Sequence, residues 1–370
     1  LAAGGTGGHL FPAEALAAEL RCRGARPVLI TDRRGDRFGG ALASDEIRTI
    51  RAGGLAGRSL TARLGAIVEL GLGFIDARRH LRRLRPRVVV GFGGYASVPT
   101  VLAASVAGFP TVVHEQNAVL GRANRMLAAR VQQIASAFEK LAALPPAAAG
   151  KVVRTGMPVR PAFVPLRDQP YQPPEDGGPV RLVVLGGSQG AQVFSELLPA
   201  AVERLGSDLR RRLRITQQCR PETLDAVRDA YARADVDADL AAFFDNVPAL
   251  LADAHIIVAR AGASTVAELT TVGRPAVLVP YPFAIDDHQA ANAEALAEIG
   301  AAWVMPQSTL SADALADRLT GLVAAPDTLA AAAARARAFG RPEAASRLAD
   351  LLLRVATAEP AASQAGGLAA

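Results

Sequence analysis

Leu182-Val183-Val184-Leu185-Gly186-Gly187-Ser188-Gln189-Gly190 is an apolar run that stops at a glycine turn, with a helical pattern following from Gln192. The run reads as a buried strand. Glycine lets the backbone turn sharply and approach a ligand, and the first N–H groups of the next helix are free donors. A strand, a glycine turn and a helix N-terminus together suit a phosphate. Three more such turns occur: Gly4-Gly5-Thr6-Gly7-Gly8-His9, Gly91-Phe92-Gly93-Gly94-Tyr95 and Arg260-Ala261-Gly262-Ala263-Ser264-Thr265. They fall into two matching pairs, one in each half of the chain. Facing each other, the halves suggest a cleft for a nucleotide-linked substrate.

Around the turns, strands and helices alternate, which implies α/β architecture with doubly wound parallel sheets. In the first half the spacing predicts helix 13–23, strand 27–31, helix 60–84 (broken near Gly71 and Gly73), strand 88–90, helix 100–107, strand 111–114 and helix 121–127. Prolines 158, 161, 165, 170, 173, 174 and 179 read as a linker and loop. The alternation resumes with strands 180–185, 214–217, 255–258 and 276–279 and helices 192–205, 221–234, 247–252, 265–271 and 290–299. The expected division is an N-terminal domain over 1–157, a C-terminal domain over 158–340, a helix over 341–355 and a disordered tail over 356–370. Ligands in such sheets bind at the carboxyl ends of the strands, where all four turns sit.

Length and composition agree with two soluble domains: 370 residues, 50% hydrophobic and 21% charged. The chain opens at Leu1, and Leu1-Ala2-Ala3 reads as the end of a strand rather than an export signal. Two distant cysteines, Cys22 and Cys219, give neither a disulfide framework nor a metal knuckle, and Cys22 reads as a buried thiol. Residues 88–113 carry no charge and are long enough to span a bilayer, yet their glycines and prolines break them into a buried βαβ unit. The net charge of +6 is almost all arginine. Arg78, Arg79, Arg82, Arg83, Arg85 and Arg87 crowd together just after Leu70, Leu72, Phe74 and Ile75, the pattern of a surface that meets anionic lipid. No aromatic residues interleave with these arginines, which argues against nucleic acid.

The motifs that are missing narrow the chemistry. G-x-G-x-x-G is absent from every glycine turn, and there is no P-loop, H-E-x-x-H, G-x-S-x-G elbow or Cys/His metal set. What remains is polar residues at strand ends: His114-Glu115-Gln116-Asn117, and Asp286-Asp287-His288-Gln289 with Asn292. Four consecutive polar residues at a strand's carboxyl end argue against core. Ser264 or Thr265 can cap a helix. Glu268 either closes a capping box or accepts the two hydroxyls of a ribose.

GGTGGH (4–9), GFGGYASVP (91–99), HEQN (114–117), GMPVR (156–160), GGSQGA (186–191), RAGASTVAE (260–268) and DHQ with NA (287–293) together resemble the MurG family of bacterial peptidoglycan N-acetylglucosaminyltransferases. The match runs in the same order over nearly the whole chain. It implies a GT-B type fold, two Rossmann-like domains across a cleft. It also implies transfer of N-acetylglucosamine, with inversion, from UDP-N-acetylglucosamine to the MurNAc 4-hydroxyl of lipid I (undecaprenyl-pyrophosphoryl-MurNAc-pentapeptide), giving lipid II. Donor contacts carried over are Thr6, Gly7, Gly8, Asn117, Arg160, Ser188, Phe244, Ala263, Ser264, Thr265, Val266, Ala267, Glu268 and Gln289. Phe244 replaces a more usual aliphatic residue, and its contact to uracil is by backbone. Gly7, Gly8, Gly93, Gly94 and Tyr95 are assigned to the acceptor diphosphate. Leu72, Phe74, Ile75, Arg78, Arg79, Arg82 and Arg83 are assigned to the membrane surface. The resemblance further implies no bound cofactor or metal, a peripheral position on the cytoplasmic face of the inner membrane, and other cell-wall synthesis proteins as partners.

An inverting transfer needs a base for the acceptor hydroxyl, in-line geometry and a stabilised leaving group. His9, on the first glycine turn, is the first candidate base; an ordinary histidine titrates near neutrality. Glu115 is the second, as base or as the group that orients His9.

Overall fold

The computed structural model describes residues 1–4, 7–32, 47–52, 60–187 and 191–358, with the backbone alone for 60–64, 66 and 67. Thr6, Ser188 and the tail from 359 onward lie outside the described residues. The N-terminal sheet holds β1 (Leu29–Thr31), β2 (Ile47–Thr49), β3 (Val89–Gly91), β4 (Thr111–Glu115), β5 (Gln133–Ser136) and β6 (Val152–Arg154). Ala2 bridges Ile30 on one side and Gly91 on the other, so the first three residues stand between β1 and β3. The C-terminal sheet holds β7 (Val180–Leu185), β8 (Leu213–Gln218), β9 (Asp237–Ala241), β10 (Ile256–Ala259), β11 (Ala276–Leu278) and β12 (Ala302–Val304), in the order β12-β11-β10-β7-β8-β9. Every pair is parallel. In each domain the chain's first strand lies beside its fourth, the doubly wound order whose reversal opens a crevice. Residues 1–3 and β3 flank that crevice in one domain; β7 and β10 flank it in the other. The four glycine turns are the four turns that leave these strands, which explains why they come in matched pairs.

The helices are α1 (Gly7–Cys22), α2 (Leu60–Leu84), α3 (Ser97–Val106), α4 (Arg122–Leu127), α5 (Gln192–Arg204), α6 (Ser207–Arg212), α7 (Leu224–Arg233), α8 (Val247–Asp253), α9 (Ala263–Val272), α10 (His288–Glu298), α11 (Ala312–Val323), α12 (Pro326–Phe339) and α13 (Ala344–Thr357). α1 starts six residues before the expected Ala13 and carries Pro12 inside. His9 therefore sits in its first turn. α2 is continuous through Gly71 and Gly73. A Cβ on Gly73 would come within 2.0 Å of the Arg51 carbonyl oxygen, so glycine serves close approach there rather than a break. The uncharged stretch after Arg87 forms β3, α3 and β4, and the strands are wholly buried. No described helix is long and apolar enough to cross a membrane.

Leu348, Ala349, Leu351 and Leu352 of α13 join one core with Leu16 and Leu20 of α1. The hydrophobic stripe of α13 thus covers the N-terminal sheet although the chain has already passed through the other domain. Arg23 holds the contact by donating to Asp350 and to Ser346. The proline-rich stretch is anchored: Phe163 is fully buried in the C-terminal core, and the Tyr171 hydroxyl donates to the His255 carbonyl. Cys22 is exposed, contrary to expectation, because it ends α1 where Arg23 and Gly24 are exposed as well; Cys219 is buried.

Candidate active site

A cleft of about 870 Å³ lies between the carboxyl edges of the two sheets. Gly7, Gly8, His9, Gln116 and Asn117 line it on one side, and Arg160 reaches both, lying over Phe11 and pairing with Glu268. Gly186, Gly187, Phe244, Arg260, Gly262 to Thr265, Glu268, His288, Gln289 and Gln307 line it on the other. Val266 and Ala267 do not: Val266 is buried in the core, and both border a separate cavity of about 20 Å³. Gly93 and Gly94 lie behind His9, where a Cβ on Gly93 would stand 3.2 Å from the ring's Cε1. Both have positive φ, 87° and 74°, which explains glycine at this point. Tyr95 is half-buried on the same turn.

HEQN is not the open polar edge its composition suggests. His114, Glu115 and Gln116 are all at least 98% buried. His114 Nε2 donates to the Gly156 carbonyl at 2.9 Å, and burial pushes the ring's pKa down to about 4. One Glu115 oxygen accepts from the Asn117 N–H and side-chain amide; the other accepts from the Gly121 N–H and the Asn124 amide, at 2.8 to 3.2 Å. These four donors form the loop that enters α4 and leave the carboxylate without an open face. The competition between His9 and Glu115 is therefore physically uneven. His9 is half-buried and lines the cleft. Desolvation lowers its pKa, while Glu115, the Phe92 carbonyl and the Gln116 amide raise it. Neither of the last two completes a hydrogen bond of ordinary geometry with Nδ1.

Glu268 differs. α9 begins at Gly262 as its N-cap, with no side-chain cap from Ser264 or Thr265, so the capping-box expectation fails. The Glu268 carboxylate instead accepts from Arg160 Nε at 3.1 Å, with Nη2 in ion-pair contact at 3.0 Å. Burial dominates over that arginine and pushes its pKa up to about 7. Arg160 also lies over the Phe11 and Phe163 rings, at 5.3 and 4.8 Å from their centroids.

Two residues inside the quoted motifs, Arg260 and Asn292, take roles that the motifs did not assign to them. Arg260 is 8% exposed, donates to the Val279 and Pro280 carbonyls and to Gln307, and pairs with no carboxylate among the described residues. It brings a fixed positive charge beside the Gly186-Gly187 turn. In the sequence it opens the RAGASTVAE segment, between a strand and a glycine turn. Asn292 is fully buried: its amide donates to Asn117 and to the Ala261 carbonyl, and its oxygen accepts from the Ala118 N–H. It therefore staples the two domains together; its hydrogen-bonding groups are already engaged within the protein. Among the described residues, no three His, Cys, Asp or Glu side chains cluster so as to hold a metal ion.

Two facing doubly wound domains with glycine turns at both crevices define the class, a protein of the GT-B fold. Residues 1–136 match the glycosyltransferase family 28 N-terminal domain, and residues 181–348 match the C-terminal domain of the same family. The chain is 57% identical over 353 residues, 95% of each chain, to the UDP-N-acetylglucosamine--N-acetylmuramyl-(pentapeptide) pyrophosphoryl-undecaprenol N-acetylglucosamine transferase of Paramagnetospirillum magneticum. It is 56% identical to the enzyme of that name from Rhodospirillum rubrum, over 95% of this chain and 90% of the other. A crystal structure of Acinetobacter baumannii MurG superposes with a TM-score of 0.76 at 30% identity, covering 95% of this chain and 98% of that one. A UDP-GlcNAc 2-epimerase from Neisseria meningitidis shares the fold at 14% identity and a TM-score of 0.66, covering 95% of this chain and 99% of that one. The chain belongs to glycosyltransferase family 28 and, within it, to the MurG family.

Proposed function

We propose that this protein transfers N-acetylglucosamine from UDP-N-acetylglucosamine to the 4-hydroxyl of MurNAc in lipid I, giving lipid II and UDP. The single observation that carries the reading is the cleft itself. His9 lines one wall, and Arg160, Glu268 and Gln289 lie around it, between two pairs of phosphate-type turns. The close likeness to named transferases supports the substrates.

In this reading the acceptor oxygen attacks the anomeric carbon as the bond from that carbon to the UDP oxygen breaks. The hydroxyl proton passes to His9 Nε2, and the electron pair leaves with UDP. A histidine with lowered pKa is neutral at physiological pH, as a base must be. Glu115 holds the loop around Asn117 and supplies a negative charge near the developing imidazolium. Backbone N–H groups at Gly187 and at the start of α9, with the Arg260 charge, stabilise the leaving diphosphate. Glu268 accepts the ribose hydroxyls, sharing Arg160, and Gln289 contacts the sugar. Residues 1–157 with the 341–355 helix form the acceptor unit, and 158–340 the donor unit.

The acceptor's lipid requires a surface contact, which we assign to α2 and α3. Val68 and Ile75 are exposed on α2, which also carries Arg78, Arg79, Arg82 and Arg83, and Val106 is exposed at the end of α3, which packs on α2. Phe74 packs against the N-terminal core and Leu72 is half-buried, so Val68 and Val106 take over part of the assigned apolar role. This supports peripheral attachment to a membrane surface, which we place at the cytoplasmic face. Charge reversal of the four arginines should abolish sedimentation with anionic vesicles, and unchanged sedimentation would refute the assignment.

The test of function is transfer of radiolabel from UDP-N-acetylglucosamine to a lipid I analogue, with His9→Ala and Glu268→Ala beside the unaltered protein. Free sugar without labelled lipid would indicate an epimerase, and no turnover a binding protein. Turnover in a chelator is expected; its loss, restored only by a divalent ion, would add a metal to the site.

A further inference from the structure

Arg122 and Arg125, three residues apart on one face of α4, converge on a single carboxylate from the other domain. Arg122 Nη2 donates to Asp286 Oδ1 at 2.7 Å and its Nε reaches both oxygens at 3.1 and 3.3 Å; Arg125 Nη2 pairs with Oδ2. The arginine side chains remain 60% and 34% exposed, and their partner Asp286 stands two residues before His288, which lines the cleft. Their base is fixed, because the buried Asn124 between them donates to the His114 carbonyl and to Glu115. Tyr95, on the Gly93-Gly94 turn, lies within electrostatic reach of Arg122.

The partner carboxylate is held in an awkward way. Asp286 and Asp287 both have left-handed backbones, φ 54° and 52°, which side chains with a Cβ rarely adopt in succession. Such strain persists only where the surroundings impose it. The strained pair leads directly into His288 and Gln289, which line the cleft, and the Gln289 side-chain oxygen accepts from the Tyr281 N–H.

Two guanidinium forks fixed beside a glycine turn make a site for a doubly charged oxyanion. A diphosphate diester carries one charge on each phosphate, twice the charge of the carboxylate now there. We propose that Arg122 and Arg125 clamp the diphosphate of the acceptor, and that Asp286 occupies this clamp until the acceptor arrives. Displacement of Asp286 then frees the strained turn and resets Gln289 on the donor side, so that arrival of one substrate adjusts the grip on the other. The inference rests on the transferase reading above.

The test uses a soluble short-chain lipid I analogue without vesicles, so that lipid headgroups play no part. Arg122→Gln/Arg125→Gln should raise the acceptor KM by about tenfold and leave the donor KM within about twofold. Asp286→Asn should act in the opposite sense, lowering the acceptor KM by about two- to fivefold, because a neutral amide competes less well for the arginines. An ion pair that only clasps the domains would respond alike to loss of either side, so a raised acceptor KM in Asp286→Asn overturns the proposal. An unmoved acceptor KM in the arginine variant overturns it as well, and a raised donor KM alone would assign the clamp to UDP instead. Calorimetric binding of inorganic pyrophosphate gives a second readout: tighter in Asp286→Asn and weaker in the arginine variant if the clamp is real, equal in all if it is not. Failure of the unaltered protein to transfer sugar would strike the function itself, a distinguishable result.

Discussion

The two walls of the cleft each carry a buried carboxylate, and the two are used in opposite ways. Glu115 on the N-terminal wall accepts four hydrogen bonds and holds a loop. Glu268 on the C-terminal wall has Arg160 as its charged partner and sits near neutral pKa, ready to exchange that arginine for hydroxyls. Position in the fold and residue type are similar; the number of donors already in place differs. A saturated carboxylate is architecture, and an unsaturated one facing a cleft is available to a ligand.

The sharpest test of this contrast is chemical. His9→Ala should lower kcat by about 10²- to 10⁴-fold with little change in thermal stability. If Glu115→Gln did the same at unchanged stability, Glu115 would be the base and the comparison would fail.

Next in size is pH. His114 has a folded pKa of about 4 against an ordinary 6.5, so the unfolded chain binds more protons between those values. Its contribution, roughly 3 kcal/mol, is present above pH 6.5 and lost as pH falls toward 4. Glu268 runs the other way. Its folded pKa of about 7 lies above the ordinary 4.5, so its contribution is present below 4.5 and lost as pH rises through 7. Melting temperature measured against pH should fall on acidification less steeply in His114→Gln and more steeply in Glu268→Gln than in the unaltered protein.

Glu115→Gln should then destabilise by about 2–3 kcal/mol in denaturant unfolding, since its new NH₂ group faces N–H donors. The smallest expected effect is on affinity. Glu268→Gln should raise the donor KM by about tenfold at pH 8, with kcat changed less. A loss of stability there with donor KM unmoved would make Glu268 architectural too.

Much of the fold was legible in the chain. The glycine turns marked the crevice strands, with positive φ accounting for glycine at Gly93, Gly94 and Gly187, and the interior strands β7, β8, β10 and β11 announced themselves as apolar runs. The strands missed include all four sheet edges, β2, β6, β9 and β12. An edge strand buries less, so its sequence is free to drift from an apolar pattern; Asp237-Ala238-Asp239-Leu240-Ala241 shows how far. Alanine-rich α12 was missed for want of contrast between its faces. Within the site, the residue types of both walls were visible, but not which of them had already been spent on each other.

By itself the sequence determined two doubly wound domains, glycine at each crevice and a supply of polar groups at strand ends. These are local matters of backbone freedom and apolar periodicity. Only the tertiary structure decided that Glu115 is saturated, that Asn292 joins the domains, and that Arg122 and Arg125 meet Asp286. The donors to Glu115 lie within nine residues of it, yet they reach it only because the loop entering α4 wraps around the carboxylate; for Asn292 and Asp286 the partners lie more than 150 residues away in the chain, as with Asn117 and Asn292 or Arg122 and Asp286, and no local pattern records them.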